Sequence, residues 1–246
     1  MEYILKNTLC SEEQDKISDL AQTCSEADGF SYELYTGDDS ETSGDFFVLC
    51  YTDSELIGFL SYFNADVPEI SGIVHPKFRR QKVFSHMFET IESTLNNKEI
   101  VFSGRELYPG FTKTSLSLGG SNPYHEYLLK WNKKNLFPGN LGILYNSSSA
   151  GQYRDFDFWI NECQVGHCSL FTDSAAVNIF DVYIEPEFRG LGYGKAMLNR
   201  LLSHITEQSN KDIILQVSEK NKPACNLYFT NGFEIIDSVM YYSRFV

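Results

Sequence analysis

The sequence predicts an α/β (α+β) protein of two tandem domains, each a mixed, mostly antiparallel twisted sheet flanked by helices. Three observations carry this reading. Short β-rich runs bounded by turn residues alternate with amphipathic stretches of helical period. The length of 246 residues suits two domains of ~100 to 150 residues better than one. Finally, one junction occurs twice: Ile73-Val74-His75-Pro76-Lys77-Phe78-Arg79-Arg80 matches Tyr183-Ile184-Glu185-Pro186-Glu187-Phe188-Arg189-Gly190. Both copies read as an apolar strand end, one polar residue, Pro, an aromatic two residues later, Arg, and then an amphipathic helix, so the chain reads as a duplication. The division is placed at residues 1–133 and 134–246.

The first part opens with a strand over Tyr3–Leu5, followed by Ser11 as N-cap of a helix carrying Ile17, Leu20 and Ala21 at helical spacing. Phe46–Tyr51 and Leu56–Phe63 flank Thr52-Asp53-Ser54 and read as a hairpin, and Glu69–Val74 is a further strand ending before Pro76. Val83, Phe84, Met87, Phe88, Ile91 and Leu95 recur at three and four residues, which puts them on the buried face of a helix. Lys98–Ser103 is a strand, the stretch around Ser117–Asn122 a loop, and Tyr124–Trp131 a short helix.

The second part repeats this order. Leu141–Tyr145 is a strand, Asn146–Gly151 a Ser-rich turn, and Tyr153–Ile160 pairs with Gln164–Phe171 across Asn161-Glu162. Val177–Ile184 is a strand ending at a Pro, and a helix follows from about Gly192 to Gln208. Asp212–Val217 is a strand, Lys222–Thr230 a helix, and Phe233–Ile236 with Val239–Phe245 a closing hairpin.

Composition narrows the function classes. With 42% apolar and 15% aromatic residues the chain has ample material for a core, and no run approaches the ~18 apolar residues of a membrane span. Thirty-three acidic against 20 basic residues give a net charge of −13; nucleic acid is not an expected partner, since its phosphates are bound by clustered Lys and Arg. The N-terminus lacks the basic start and apolar core of a secretory signal. The six cysteines show no CxxC pair and no Cys/His ligand spacing, so reduced thiols, no metal site and a cytoplasmic location are expected.

The chemistry concentrates after the second junction, in Arg189-Gly190-Leu191-Gly192-Tyr193-Gly194. Gly192 and Gly194 let backbone amides approach a ligand, and the N–H groups and dipole of the following helix favour an anion such as a diphosphate. The dinucleotide fingerprint fails because its third glycine position holds Met197, and the NTPase phosphate loop fails because Gly194-Lys195 is followed by Ala196.

With its strand before and amphipathic helix after, this segment resembles the GCN5-related N-acetyltransferases (GNAT), over nearly all of Tyr153–Phe245. The resemblance implies acetyl-CoA as cosubstrate and an amine-bearing small molecule or peptide as acceptor, with no metal, in a monomer or homodimer. It implies that Val182, Tyr183 and Ile184 pair with the pantetheine arm and that Arg189 through Lys195 hold the pyrophosphate. A second motif, Asn221-Lys222-Pro223-Ala224-Cys225-Asn226-Leu227-Tyr228 followed by Asn231-Gly232-Phe233, implies that Asn221 contacts the coenzyme and that the Tyr228 hydroxyl protonates the departing thiolate. The alternative is a catalytically silent acetyl-CoA sensor or scaffold.

Two departures sharpen these expectations. Where many members carry a glutamate base, this chain has Gln216, and a neutral amide cannot accept the proton; Asp181 is the candidate in its place, with His167 as a second. In the first copy the loop reads Arg79-Arg80-Gln81-Lys82-Val83-Phe84, so the glycines are gone and Lys82 and Phe84 are expected to obstruct the cradle.

Overall fold

Among the described residues, each compact unit sets one parallel pair of strands among antiparallel neighbours. The computed structural model describes residues 1–32, 34–37, 44–95, 98–106, 108–133 and 142–246. It divides into two compact units, Met1–Tyr124 with Val239–Val246, and His125–Ser238. The sequence-based division at 133/134 borders a stretch, 134–141, outside the described residues.

In the first unit, β1 (Glu2–Lys6), β2 (Phe46–Thr52), β3 (Glu55–Phe63) and β4 (Glu69–Val74) pair antiparallel in that order. β4 then runs parallel to β5 (Glu99–Gly104), and Met240–Phe245 closes the sheet antiparallel to β5. The β2–β3 turn puts Asp53 and Ser54 at φ 48° and 68°, as a two-residue hairpin requires. Side chains alternate along β2: Val48 and Cys50 pack with Val83, Met87, Phe88 and Ile91 of α2 (Val83–Glu92), while Phe47 and Leu49 pack with Ile17, Leu20 and Cys24 of α1 (Ser11–Asp28). The first sheet is therefore covered on both faces.

The cap of α1 lies one residue before the expected Ser11. Cys10 is the N-cap, and its N–H donates to Glu13 Oε2 at 2.9 Å; Glu13 also accepts from Lys6 at 2.6 Å. Glu13→Ala is expected to cost about 1 kcal/mol, a fall of roughly 2–4 °C in Tm, checked by calorimetry.

The second unit orders its strands β7-β8-β9-β10-β11-β6. β7 (Leu144–Ala150), β8 (Tyr153–Ile160), β9 (Cys163–Thr172) and β10 (Ala176–Ile184) are antiparallel neighbours. β10 is parallel to β11 (Asp212–Ser218), which pairs antiparallel with Glu126–Lys130 of β6 (Ser121–Trp131). One core holds Phe156, Phe158, Cys168, Ile179 and Leu215 with Met197, Leu201 and Leu202 of α4 (Tyr193–Gln208), and Cys225 and Tyr228 of α5 (Lys222–Thr230). The connection that α1 fills in the first unit is here the two-residue turn Gly151-Gln152. At this end of the sheet the Tyr153 ring lies 5.0 Å from that of Phe171 and 6.3 Å from that of Phe180.

Four expectations are corrected. Tyr124–Trp131 is not a helix but most of β6 (Ser121–Trp131); its short apolar run fits either period, and the ladder to β11, with Leu129 and Trp131 buried in alternation, decides for the strand. Asn146–Ala150 is not a turn but continues β7, paired to Tyr153–Asp157. The closing hairpin is one strand, β12 (Phe233–Phe245), which runs straight through Asp237-Ser238. The Gly/Ser-rich loop shrinks to residues 118–120, because Pro109–Ser117 forms α3, with Pro at its first turn.

Candidate functional site

The site in the second unit starts from two strands that part. β10 and β11 pair only over Ala176–Ile179 and Asp212–Leu215; beyond that point β10 continues against β9 and β11 against β6. The β11-facing backbone of the last β10 residues, among them Val182, Tyr183 and Ile184, is left without a strand partner and so able to pair with an extended ligand. A bulge interrupts the pairing of β10 with β9 between Phe180 and Tyr183. At its centre Asp181 holds φ 51°, a left-handed conformation costing a non-glycine residue about 1 kcal/mol. Bulges re-aim side chains beside active sites, and this one brings the Asp181 carboxylate to 3.6 Å from His167 Nε2. The two residues named separately as proton acceptors thus meet. His167 also stacks on Tyr183, with ring centroids 5.2 Å apart.

Carboxylates lie near Cys168 of β9, the strand paired with β10. Burial first, and then the carboxylates of Asp181, Asp155 and Asp157, push the Cys168 thiol up to about 12.

Below the mouth, a 3-10 turn over Pro186–Phe188 leads into the glycine loop. Arg189 Nε donates to the Ile184 carbonyl at 2.8 Å, and its guanidinium lies 5.1 Å from the Tyr183 ring centroid. Arg79 Nε donates to the Val74 carbonyl at 3.0 Å in the first unit, so in both copies the motif arginine ties loop to strand end. Gly190 and Gly192 hold φ 74° and 87°. A Cβ on Gly190 would meet nothing within 4 Å, and one on Gly194 would make only ordinary contact with Leu227 and Ile184 at 3.5 and 3.6 Å. Gly194 sits in the first turn of α4, where glycine costs up to about 1 kcal/mol of helix propensity and the protein's own packing does not demand it. Leu191 is exposed, Tyr193 packs edge-on against Phe188, and Lys195 is exposed. No side chain caps α4, so its first-turn N–H groups lack intrahelical acceptors. This bare, positively polarised turn fits a diphosphate.

On the far side, Asn221 Oδ1 caps α5 by accepting from Ala224 N at 3.2 Å, a structural task that leaves its amide nitrogen for a ligand. Tyr228 is 5% exposed, and its ring lies 5.6 Å from Phe233. Burial, with Cys168 and Cys225 nearby, pushes its hydroxyl up to about 12, and the hydroxyl makes no hydrogen bond among the described residues. Cys225 is buried and donates to the Ser218 carbonyl at 3.3 Å, so it is a packed thiol rather than a nucleophile. Gln216 is exposed on β11.

The structure adds a group that linear sequence could not signal across 94 positions: His125 Nδ1 lies 3.0 Å from Glu219 Oε2, which also accepts from Tyr127 at 3.0 Å. Burial raises the Glu219 carboxyl, but these two bonds bring it below its ordinary range on balance. Among the described residues no cluster of His, Cys, Asp and Glu is arranged to hold a metal, and no helix is long and apolar enough to cross a membrane.

Comparison with known proteins places this geometry. Residues 125–233 match the model of the acetyltransferase (GNAT) family. Mycothiol acetyltransferase of Thermobifida fusca is 34% identical over 74 residues, which are 30% of this chain and 23% of that one. The [ribosomal protein bS18]-alanine N-acetyltransferase of Haemophilus influenzae is 28% identical over 102 residues, 42% of this chain and 68% of that one. Among solved structures, a GCN5-related N-acetyltransferase of Sphaerobacter thermophilus superposes with a TM-score of 0.75 at 14% identity, covering 99% of this chain and 95% of the other. A tandem GNAT protein from the clavulanic acid biosynthesis pathway gives a TM-score of 0.64 at 12% identity, covering 99% and 98%. By sequence across residues 125–233 and by architecture along the chain, this protein is built on the GNAT acetyltransferase fold.

Proposed function

We propose that the protein is an N-acetyltransferase that takes acetyl-CoA at the β10/β11 mouth of its second unit and passes the acetyl group to an amine by direct attack. The observation that carries this is the combination, in one unit, of parted strands with a loop in which no internal contact requires Gly190 or Gly194 to lack a side chain. Val182, Tyr183 and Ile184 would pair with the pantetheine amides. The loop from Arg189 and Gly190 through Leu191, Gly192, Tyr193, Gly194 and Lys195 would hold the diphosphate, and Asn221 would contact the coenzyme with its amide nitrogen. When bound, the thioester supplies an activated acetyl carbon.

The chain's residues then manage protons. An attacking amine must lose a proton; Asp181, beside His167, receives it through water. As the C–S bond breaks, the Tyr228 hydroxyl gives a proton to the thiolate and regains one from solvent. The carboxylates of Asp155, Asp157 and Asp181 favour an acceptor that arrives as a cation, an amine-bearing small molecule or peptide.

The test is a thiol-release assay over an amine panel, with product identified by mass. Thiol release matched by one acetylated amine is expected, with Asp181→Asn slowed about tenfold or more at neutral pH. Coenzyme binding without turnover on any amine would select the sensor or scaffold reading instead.

A further inference from the structure

A well-formed cavity lies in the first unit, away from the proposed acetyl-transfer site. It encloses about 710 Å³, within the ~300–1,000 Å³ of small-molecule sites. It opens where β4 and β5 part after pairing only at Glu69–Val101 and Ile70–Phe102. Its walls are largely apolar, with Ile70, Val83, Phe84, Phe102 and Phe111 among them.

Among the described residues the charge of its lining is one-sided. Arg79, Arg80, Lys82, Arg105 and Lys113 line it, and no described Asp or Glu does. In a chain with 33 acidic and 20 basic residues, a lining of indifferent composition would carry more acids than bases. Arg79 is committed to the wall, donating to both carboxylate oxygens of Asp28 at 2.7 and 2.6 Å. Arg80, Lys82 and Lys113 are exposed at the rim.

The loop also shows which ligand this site no longer suits. Arg80 and Lys82 hold φ 64° and 62°, so the backbone takes the left-handed conformation of Gly190 and Gly192 without their glycines. The change falls at Phe84, which stands where the second copy has Gly194, and its half-buried side chain lines the cavity. An aromatic ring in the helix's first turn stands where Gly194 has no side chain, and sets an apolar wall beside the first-turn N–H groups.

We infer that the first unit binds an apolar organic carboxylate, its hydrocarbon body between β4, β5 and Phe84 and its anionic head against Arg80, Lys82 and Lys113. The inference is independent of acetyl transfer in the second unit. Dodecanoate serves as probe, with dodecanol and dodecanoyl-CoA as comparisons, titrated by calorimetry into the full chain with and without saturating coenzyme A. The expected result is one dodecanoate per chain, bound at least tenfold more tightly than dodecanol and unaffected by coenzyme A. Arg80→Glu combined with Lys82→Glu, both at exposed positions, should weaken dodecanoate at least tenfold without altering coenzyme A affinity. Phe84→Asp should weaken dodecanoate and dodecanol alike. Equal affinity for acid and alcohol, no loss on charge reversal, competition with coenzyme A, or binding of the thioester alone would each overturn the assignment.

Discussion

Tyr228→Phe is expected to lower turnover by about 100-fold or more, within the range of general acid catalysis, while coenzyme affinity changes by less than about twofold. The ring is already packed into the core, and the substitution removes only an oxygen that bonds to no described residue. Stability should therefore hold, which separates chemistry from folding. The pH dependence has a definite sign. The folded hydroxyl is pushed up to about 12 by burial, from an ordinary 10.0, so the proton donor is present throughout the neutral range and Tyr228 contributes no alkaline limb to turnover below about pH 10. Because the folded value is the higher one, its contribution to stability is complete below pH 10 and is lost as pH rises through about 12. Turnover in Tyr228→Phe equal to the parent rate would reduce the residue to core packing.

The elements that pack against something local were legible. The hydrophobic faces of α2 and α4 and the turns within Thr52-Asp53-Ser54 and at Asn161-Glu162 could be placed because period and turn chemistry act over a few residues. The glycine loop was legible for the same reason. What could not be read is what sheet neighbours decide. Tyr124–Trp131 becomes strand because β11 supplies its ladder, and Phe233–Phe245 stays extended through Asp237-Ser238, with Met240–Phe245 paired to β5, more than a hundred positions away. The pairing of His167 with Asp181 depended on a bulge, and that of His125 with Glu219 on the register of β6 against β11; neither leaves a mark in spacing. The first-copy loop shows a further limit. Residue type marked the bulk of Lys82 and Phe84 but not the backbone they would take: Arg80 and Lys82 hold φ 64° and 62°, at a strain of about 1 kcal/mol each.

That tolerance makes Gly192 the decisive position for the second unit. Gly192→Val is expected to weaken coenzyme A about 100-fold and to lower Tm by several degrees, since a β-branched residue at φ 87° is a conformational outlier and either strains the loop or moves it. Asparagine accepts left-handed backbone at little cost, so Gly192→Asn should fold like the parent and isolate the effect of a side chain on the ligand alone. The N-cap of α4 has no side chain to cover the first-turn N–H groups, and an asparagine there would cap them as Asn221 caps α5. The helix then gains an internal acceptor at the place where a diphosphate should bind, and coenzyme A affinity is expected to fall about tenfold despite an intact or raised Tm, read by calorimetric titration beside thermal unfolding. Opposite movements of affinity and stability in this one variant mark the bare turn as a ligand site. Unchanged affinity in both Gly192→Val and Gly192→Asn would place the coenzyme elsewhere.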